Sequence, residues 1–356
     1  MSTLSDFSAI RSPAGDTLPV ATRRGPQGSS PPPAALLEFI DHNRGWLGDQ
    51  LATRGAALLR GFGLTTPAQF EVAARAVEPE LKNEYLGTSP RDALTPYVFS
   101  ASELPPYYPI PQHCEMTFIK EPPRRLMFAC LVAARRGGET PLVDMRQVAA
   151  DLDPAVRGRF EKGGVRIIRN YGGPSGAGRF DLWQLKRWDE IFQTTDRAVV
   201  EAKCAAEGVF TDLHWGPGDR LRLISEHEAL RAHPETGVPV WFNHSQVFHL
   251  SAAPGELRRI YARTGELRTL ALWRFAQAAV AAKRRFSASD DMALHCTHRD
   301  GREIADGDLE AVRDTIWKHM IAEPWQAGDM VVIDNYSVSH GRLPYHGARQ
   351  VVVAWA

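Results

Sequence analysis

Cysteine is scarce in this chain and scattered where it occurs. Cys114, Cys130, Cys204 and Cys296 are the four cysteines among 356 residues, and none forms a C-x-x-C pair. That argues against a disulfide framework and against a cysteine zinc site. Neither sign of charge is in excess: Lys+Arg and Asp+Glu each number 42, so bulk charge gives no attraction for a nucleic-acid backbone. No apolar run reaches the roughly 18 residues that a membrane span needs, and the N-terminal segment lacks the apolar core of a secretory signal. Neither G-x-G-x-x-G nor G-K-[ST] occurs, which leaves nucleotide binding of those types unsupported. The expectation is a reduced, cytoplasmic, soluble protein with no nucleic-acid and no membrane partner. Its oligomeric state is open, a homo-oligomer included.

What is present is a hydrophobic content of 44%, enough for a sizeable core. Residues 1–33 are rich in Pro, Gly, Ser and Thr, the composition of a flexible N-terminal arm. From Ala34 apolar residues recur at helical spacing to Leu51. A short buried strand follows from Gly55 to Phe62, and Thr65/Thr66 caps a helix to Val77. Further strands are expected at 125–132, at 164–169, at 238–244, at 330–334 and at 349–356, with another leading to Asp144 after the Gly-Gly turn at 137–138. Further helices are expected near 148–162, from Asp196 to Cys204, across 255–285 and at 308–320. Many short strands, with helices early and in insertions, suit a double-stranded β-helix (jelly roll) carrying helical additions. On periodicity alone an open α/β sheet fits as well.

The stretch with chemical content is His113-Cys114-Glu115. In an extended strand, side chains at i and i+2 project to the same side. His113 and Glu115 are therefore expected to converge while Cys114 faces away. An imidazole and a carboxylate meeting in this way form two corners of the 2-His-1-carboxylate triad that holds non-haem Fe(II). A histidine just past a second buried strand would complete it, and Met330–Asp334 is such a strand with His340 beyond it. The H-x-E spacing by itself is equally that of a solvated pair on a strand surface.

Four segments in fixed order sharpen the reading. They are His-Cys-Glu-Met at 113–116, Gly-Gly-Glu-Thr-Pro-Leu-Val-Asp at 137–144, Pro-Trp-Gln-Ala-Gly-Asp at 324–329, and Asp-Asn-x4-His-Gly-Arg-x-Pro-Tyr-x-Gly-x-Arg at 334–349. Together they resemble the TauD/TfdA family of Fe(II)- and 2-oxoglutarate-dependent dioxygenases. The H-x-E-M variant, with Trp-Phe-Asn at 241–243, is similar to the SyrP-like branch, which hydroxylates amino-acid residues in peptide natural-product pathways. The resemblance runs from about residue 35 to the C-terminus. It implies a single domain over 34–356, mainly β, with a jelly-roll core of the clavaminate synthase-like type and helical insertions.

The same resemblance implies Fe(II), 2-oxoglutarate and O₂ as cofactors. It makes His113, Glu115 and His340 the iron ligands, Arg349 the partner of the distal carboxylate of 2-oxoglutarate, and Thr140 a further hydrogen-bond donor to it. Two imidazoles and one carboxylate leave Fe(II) three open positions, and a planar, permanently charged guanidinium matches a carboxylate. Halogenating relatives replace the carboxylate by a small residue, so Glu115 favours oxygenation. Glutamate in place of the more frequent aspartate matches the SyrP-like pattern. The implied reaction is hydroxylation of an amino acid or an amino-acid-derived substrate, free or tethered to a peptidyl carrier protein, with release of succinate and CO₂. Desaturation, epoxidation or oxidative decarboxylation would use the same cofactors. The alternative of another class is a catalytically inactive metal-binding jelly roll or sensor.

Other positions are weaker. Asn243 and His244 end a strand that is a candidate wall of the substrate pocket, and a hydrogen-bonded core role fits them equally. Arg222 and Arg342 are candidates for a substrate carboxylate beside the plainer reading of structural arginines. His295-Cys-Thr-His298 reads as non-metal, because the adjoining Arg-Asp-Gly-Arg signals a turn. Trp183, Trp188 and Trp241 read as core, and Cys114 and Cys130 as small buried hydrophobes. Specificity is expected in the 85–112, 171–220 and 285–300 loops. Arg258, Arg259, Arg284 and Arg285 are candidates for docking an acidic carrier.

Overall fold

The structure is a computed structural model that describes residues 5–23, 34–83, 91–102, 104–174, 185 and 187–356. The chain opens with β1 (Ser5–Arg11), β2 (Thr17–Arg23), α1 (Ala34–His42), α2 (Arg44–Arg54), β3 (Ala56–Arg60) and α3 (Pro67–Val77). Next come β4 (Phe99–Ser100), β5 (Ile110–His113), β6 (Arg125–Val132), β7 (Arg136–Gly137) and β8 (Leu142–Asp144). The middle holds α4 (Met145–Asp151), α5 (Pro154–Gly163), β9 (Val165–Tyr171), α6 (Trp188–Phe192), α7 (Arg197–Glu207), β10 (Phe210–Gly216), β11 (Arg220–His227), β12 (Leu230–Ala232) and β13 (Pro239–Trp241). After α8 (Ser245–Phe248), α9 (Ala252–Thr264), α10 (Leu267–Phe286), β14 (Leu294–Thr297) and α11 (Asp306–His319), the chain closes with β15 (Met330–Asp334), β16 (Val338–Arg342), β17 (Tyr345–His346) and β18 (Gln350–Trp355).

The main sheet has seven strands in the order β1-β2-β3-β15-β6-β18-β4. Between β15 and β18 runs β6, an unbroken apolar run whose side chains alternate between two cores, as the two-residue period of a strand requires. Met127, Ala129 and Leu131 face Leu36, Ile40 and Phe70 of α1 and α3. Leu126, Phe128 and Cys130 face a second layer that includes Leu142 and Val338. That second layer is a three-stranded sheet, β5-β16-β8. Two sheets enclosing one core, with β15 paired to β6 across some 200 positions of sequence, form the expected jelly roll. A separate four-stranded sheet, β10-β11-β9-β14, stands beside it, and a further core around Phe160 and Trp241 joins α4, α5 and α11.

Most expected elements are present, with instructive differences. Thr66 caps α3 by accepting from Gln69 N–H. The helix expected across 148–162 is two helices, because Asp153 caps α5 and Pro154 starts it; Gly265 likewise divides α9 from α10. His295-Cys-Thr lies on β14, and the expected turn at Arg299-Asp-Gly-Arg302 follows it, closed by His298 N–H donating to the Arg302 carbonyl. Residues 5–23, expected as a flexible arm, form a hairpin whose β2 runs parallel to β3, with Val20 opposite Leu58. The composition is poor in apolar residues, yet Leu18, Val20 and Ala21 are buried by the sheet. The remainder of the expected arm, 24–33, lies outside the described residues, as does Trp183.

Gly55 couples three of these parts. It ends α2 in the left-handed conformation, φ +76°, donating to Gln50 and Leu51 carbonyls, and its own carbonyl accepts from Asp334 N–H at 2.7 Å. A Cβ there would stand 2.5 Å from Val338 Cγ2. Gly55→Ala is expected to lower unfolding free energy by about 2 kcal/mol through backbone strain, read by chemical denaturation.

Candidate active site

β16 pairs with β5 so that His340 and His113 are direct cross-strand partners. Their rings lie 4.4 Å apart, centroid to centroid. Ligand atoms of His113, Glu115 and His340 all fall within 4.8 Å of one another. Strand alternation is not what brings Glu115 in, contrary to expectation. β5 ends at His113, and the chain then turns, with Met116 in the left-handed region at φ +52°. The clamp is Asn335: its Oδ1 accepts from Glu115 N–H at 2.6 Å, and its Nδ2 donates to the carbonyls of Glu115 at 3.0 Å and Pro123 at 2.8 Å. Cys114 faces away into the core, where burial holds its thiol well above the ordinary range.

The proton positions suit a metal. His113 Nδ1 lies 2.9 Å from the Pro111 carbonyl, which can only accept, so Nδ1 carries the proton and Nε2 keeps the lone pair. Burial above all keeps the His340 ring neutral, its pKa far below the usual value. Its buried Nδ1 has no hydrogen-bond partner among the described residues, and its Nε2 sits 3.7 Å from Glu115 Oε2. Two neutral imidazoles and a carboxylate with unsatisfied donor capacity are a fitting set for a divalent ion. Arg91 Nη2 donates to Glu115 Oε2 at 2.6 Å, both side chains buried, so the carboxylate is held in one orientation.

A cationic end lies in the same cavity, whose lining includes Arg91, His113, Thr140, His340, Arg342 and Arg349. Arg349 donates through Nε to the Gly138 carbonyl at 2.8 Å and through Nη2 to Thr140 Oγ1 at 3.4 Å. No carboxylate of a described residue ion-pairs with it. Burial, and then the charge of Arg342, bring its pKa down to about 10, which leaves it cationic at neutral pH. Thr140 Oγ1 also accepts from Trp325 Nε1 at 3.0 Å, so its own O–H remains to donate. Gly138 is glycine of necessity: φ is +74°, and a Cβ would press on Tyr345 and Arg349.

The remaining candidates divide. His244 belongs to the site's surroundings: its ring is 5.8 Å from that of His113, it is stacked on Phe248, and its Nδ1 is hydrogen-bonded to Thr117. Asn243 is occupied structurally, donating to Ala229 O and accepting from Ser245 N–H. Arg222 is not brought to the site. It lies opposite Asn170 on the far face of the β11–β9 pair, where it bonds Asn170 and approaches Asp291. Arg342 spends its donors on the carbonyls of Leu104, Pro105 and Tyr108. The arginines considered for carrier docking are largely paired, Arg258 and Arg259 with Glu310 and Asp314, and Arg284 with Asp306. Trp188 and Trp241 are buried core residues.

A second cluster, His249, His295 and Glu303, also converges within 4.8 Å. Here the protons are the wrong way round. His249 Nδ1 accepts from Ser251 N–H and His295 Nδ1 from Leu250 N–H, so each neutral ring carries its proton on Nε2, the atom facing Glu303. His295 donates to Glu303 at 3.1 Å, and His249 Nε2, 3.6 Å from Glu303 Oε2, likewise carries a proton rather than a lone pair for an ion. Burial alone would raise the Glu303 carboxyl; the adjacent His249, His295 and Ser289 hold it well below the usual carboxylate range.

Residues 22–355 match the family described as taurine catabolism dioxygenase TauD, TfdA family. The dapdiamide synthesis protein DdaC of Enterobacter agglomerans is 29% identical over 322 residues, covering 90% of this chain and 87% of that protein. A clavaminate synthase-like protein of Arabidopsis thaliana is 26% identical over 358 residues, covering 98% and 93%. Among solved structures, PvcB of Pseudomonas aeruginosa, an Fe, alpha-ketoglutarate dependent oxygenase from an isonitrile synthetic pathway, shares the fold. Its TM-score is 0.53 at 12% identity, covering 100% of this chain and 92% of that one. No helix among the described residues is long and apolar enough to cross a membrane.

Asn335 is a position that strand periodicity gives no reason to choose, although it sits in the Asp-Asn pair of the last motif. Asn335→Ala frees Glu115 from its clamp and is expected to weaken metal affinity about 10- to 100-fold, as loss of outer-sphere support does, with the fold retained. Calorimetric titration with Mn(II) checks this.

Proposed function

The chain belongs to the taurine catabolism dioxygenase TauD, TfdA family, whose members use Fe(II), 2-oxoglutarate and O₂, and from that premise we propose that it hydroxylates an unactivated C–H of an amino-acid-derived small molecule. The observation that carries this reading is one cavity with two ends: His113, Glu115 and His340 converge at one, and Arg349 presents a cation without a carboxylate at the other. Iron, when bound there with the cosubstrate, supplies oxidation coupled to decarboxylation: R–H, 2-oxoglutarate and O₂ give R–OH, succinate and CO₂.

The chain's own residues bind, orient and exclude. His113, fixed by the Pro111 carbonyl, and His340, kept neutral by burial, offer lone pairs without needing to lose a proton. Glu115 supplies the one negative charge of the ligand set, its backbone gripped by Asn335 and its carboxylate by Arg91. Arg349 receives the distal carboxylate, with Thr140 donating beside it and Trp325 fixing Thr140. Phe128, 4.9 Å from the His340 ring, helps keep water from the centre. The Enterobacter relative acts in dapdiamide synthesis, which supports a place in natural-product synthesis and agrees with the SyrP-like reading. A full ligand set and a complete cosubstrate end weigh against an inactive jelly roll.

Succinate release from 2-oxoglutarate under Fe(II) and ascorbate tests the reading. Wild type is expected to turn over, and chelation of the metal or His113→Ala to abolish it. Arg349→Gln is expected to raise the KM for 2-oxoglutarate about 100-fold, the loss of a charged pair, while metal binding persists. No succinate and no 2-oxoglutarate binding in wild type would overturn the assignment.

A further inference from the structure

A cavity of about 480 Å³, outside the cosubstrate end, is lined by residues that include Phe118, Arg169, Phe192, Lys203, Glu207 and Phe210. That is the size of a small-molecule site. Arg169 lies on β9 in the same phase as Val165, Ile167 and Tyr171, so the strand's period turns it inward, and it is only 2% exposed. No carboxylate of a described residue ion-pairs with it. Its Nη2 donates to the Ser225 hydroxyl at 3.3 Å, and its Nε has no hydrogen-bond partner among the described residues. The guanidinium lies over the rings of Phe118 at 4.6 Å and Phe210 at 5.1 Å. Tyr171 and His227 beside it supply no negative charge. Burial raises the Tyr171 phenol, and burial with the charges of Arg169 and Arg299 brings His227 down to about 4.

A buried guanidinium without an anion is costly, and cation–π contacts recover only part of the lost hydration. The missing anion must fit a site walled by aromatics and packed beside the metal-binding residues. The packing runs from the His113 ring to His244 at 5.8 Å, from His244 to Phe118 at 5.3 Å, and from Phe118 to Arg169 at 4.6 Å. Two rings, His244 and Phe118, thus stand between the Arg169 guanidinium and the metal-binding residues along this path. The wall also carries Glu207, the complement an ammonium group needs, and Lys203, whose Nζ is hydrogen-bonded to the Phe192 carbonyl.

We propose that Arg169 receives a free carboxylate of the substrate in this cavity, so that the enzyme takes a carboxylate-bearing amino-acid-like molecule with its apolar part against Phe118, Phe192 and Phe210. This rests on the oxygenase reading above and names the substrate class of the same site.

The test uses the full-length, Fe(II)-loaded enzyme with the twenty L-amino acids, their carboxamides, and aspartyl and glutamyl thioesters of N-acetylcysteamine. Stimulated succinate release and 2-oxoglutarate binding are both read. Wild type is expected to favour a carboxylate over its amide about 100-fold in kcat/KM, the weight of a charge-assisted pair. Arg169→Gln should erase that preference, Arg169→Lys should restore part of it, and 2-oxoglutarate affinity should stay unchanged in both. The contrasts of acid with α-amide and of aspartate with asparagine tell an α-carboxylate from a side-chain carboxylate; a response to the acidic thioesters alone identifies the latter. A preference that survives in Arg169→Gln, or a wild type that binds 2-oxoglutarate yet responds to no carboxylate in the panel, overturns the assignment. Failure of wild type to bind 2-oxoglutarate overturns the oxygenase reading instead.

Discussion

The pairing of β16 with β5 is the constraint on which the rest depends. It sets His340 directly across from His113, which no local feature of either segment could do, since the two are 227 positions apart in the chain. The main sheet makes this pairing possible by holding β15 in register with β6 and delivering the Asp334–Ser337 turn to one place. In that turn Asp334 accepts from Arg125, His233 and Ser337, while Asn335 reaches across to grip the backbone of Glu115. The third corner of the triad is therefore positioned by a side-chain clamp from the turn that leads into the strand carrying the second. Metal geometry and sheet register are in this way one property.

Charge follows the same logic. Arg91, Arg169 and Arg349 are withdrawn from water in or beside the site, and only Arg91 meets a carboxylate, Glu115. Isolated buried cations are unfavourable by several kcal/mol each unless an anion or a hydrogen-bond set compensates. The cavity around Arg349 and the larger one around Arg169 are electropositive holes of different shape, the first walled by Thr140 and Gly138, the second by aromatic rings. Under the proposed function, the first takes the distal carboxylate of the cosubstrate and the second a carboxylate of the substrate. The contrast with His249, His295 and Glu303 shows that convergence alone is insufficient, because the protons there occupy the nitrogens a metal would need.

Much of this was legible in the chain. The long apolar strands at 125–132 and 330–334 and the cap at Thr66 follow from periodicity and turn chemistry, while the choice of jelly roll over an open α/β sheet came from the family resemblance of the four motifs. His113, Glu115 and His340 came from motif spacing, and the structure brings them together. What local pattern could not show is tertiary. The hairpin at 5–23 is held by pairing with β3 rather than by its own composition. Glu115 is placed by Asn335, a contact invisible to spacing. Arg222 and Arg169 lie on paired strands of one sheet, and which of them faces the site depends on phase: Arg222 lies opposite Asn170 and Arg169 opposite Leu223. An arginine in phase with Val165 and Ile167 was the available signal for the inward one.

The most direct measurement is an anaerobic titration with Fe(II), followed by 2-oxoglutarate, of wild type, His340→Ala and Glu303→Gln. The account predicts one Fe(II) per chain in wild type and in Glu303→Gln, with a visible absorption band when the keto acid chelates it, and neither in His340→Ala. Iron retained in His340→Ala and lost in Glu303→Gln would place the metal at the other cluster and contradict the account.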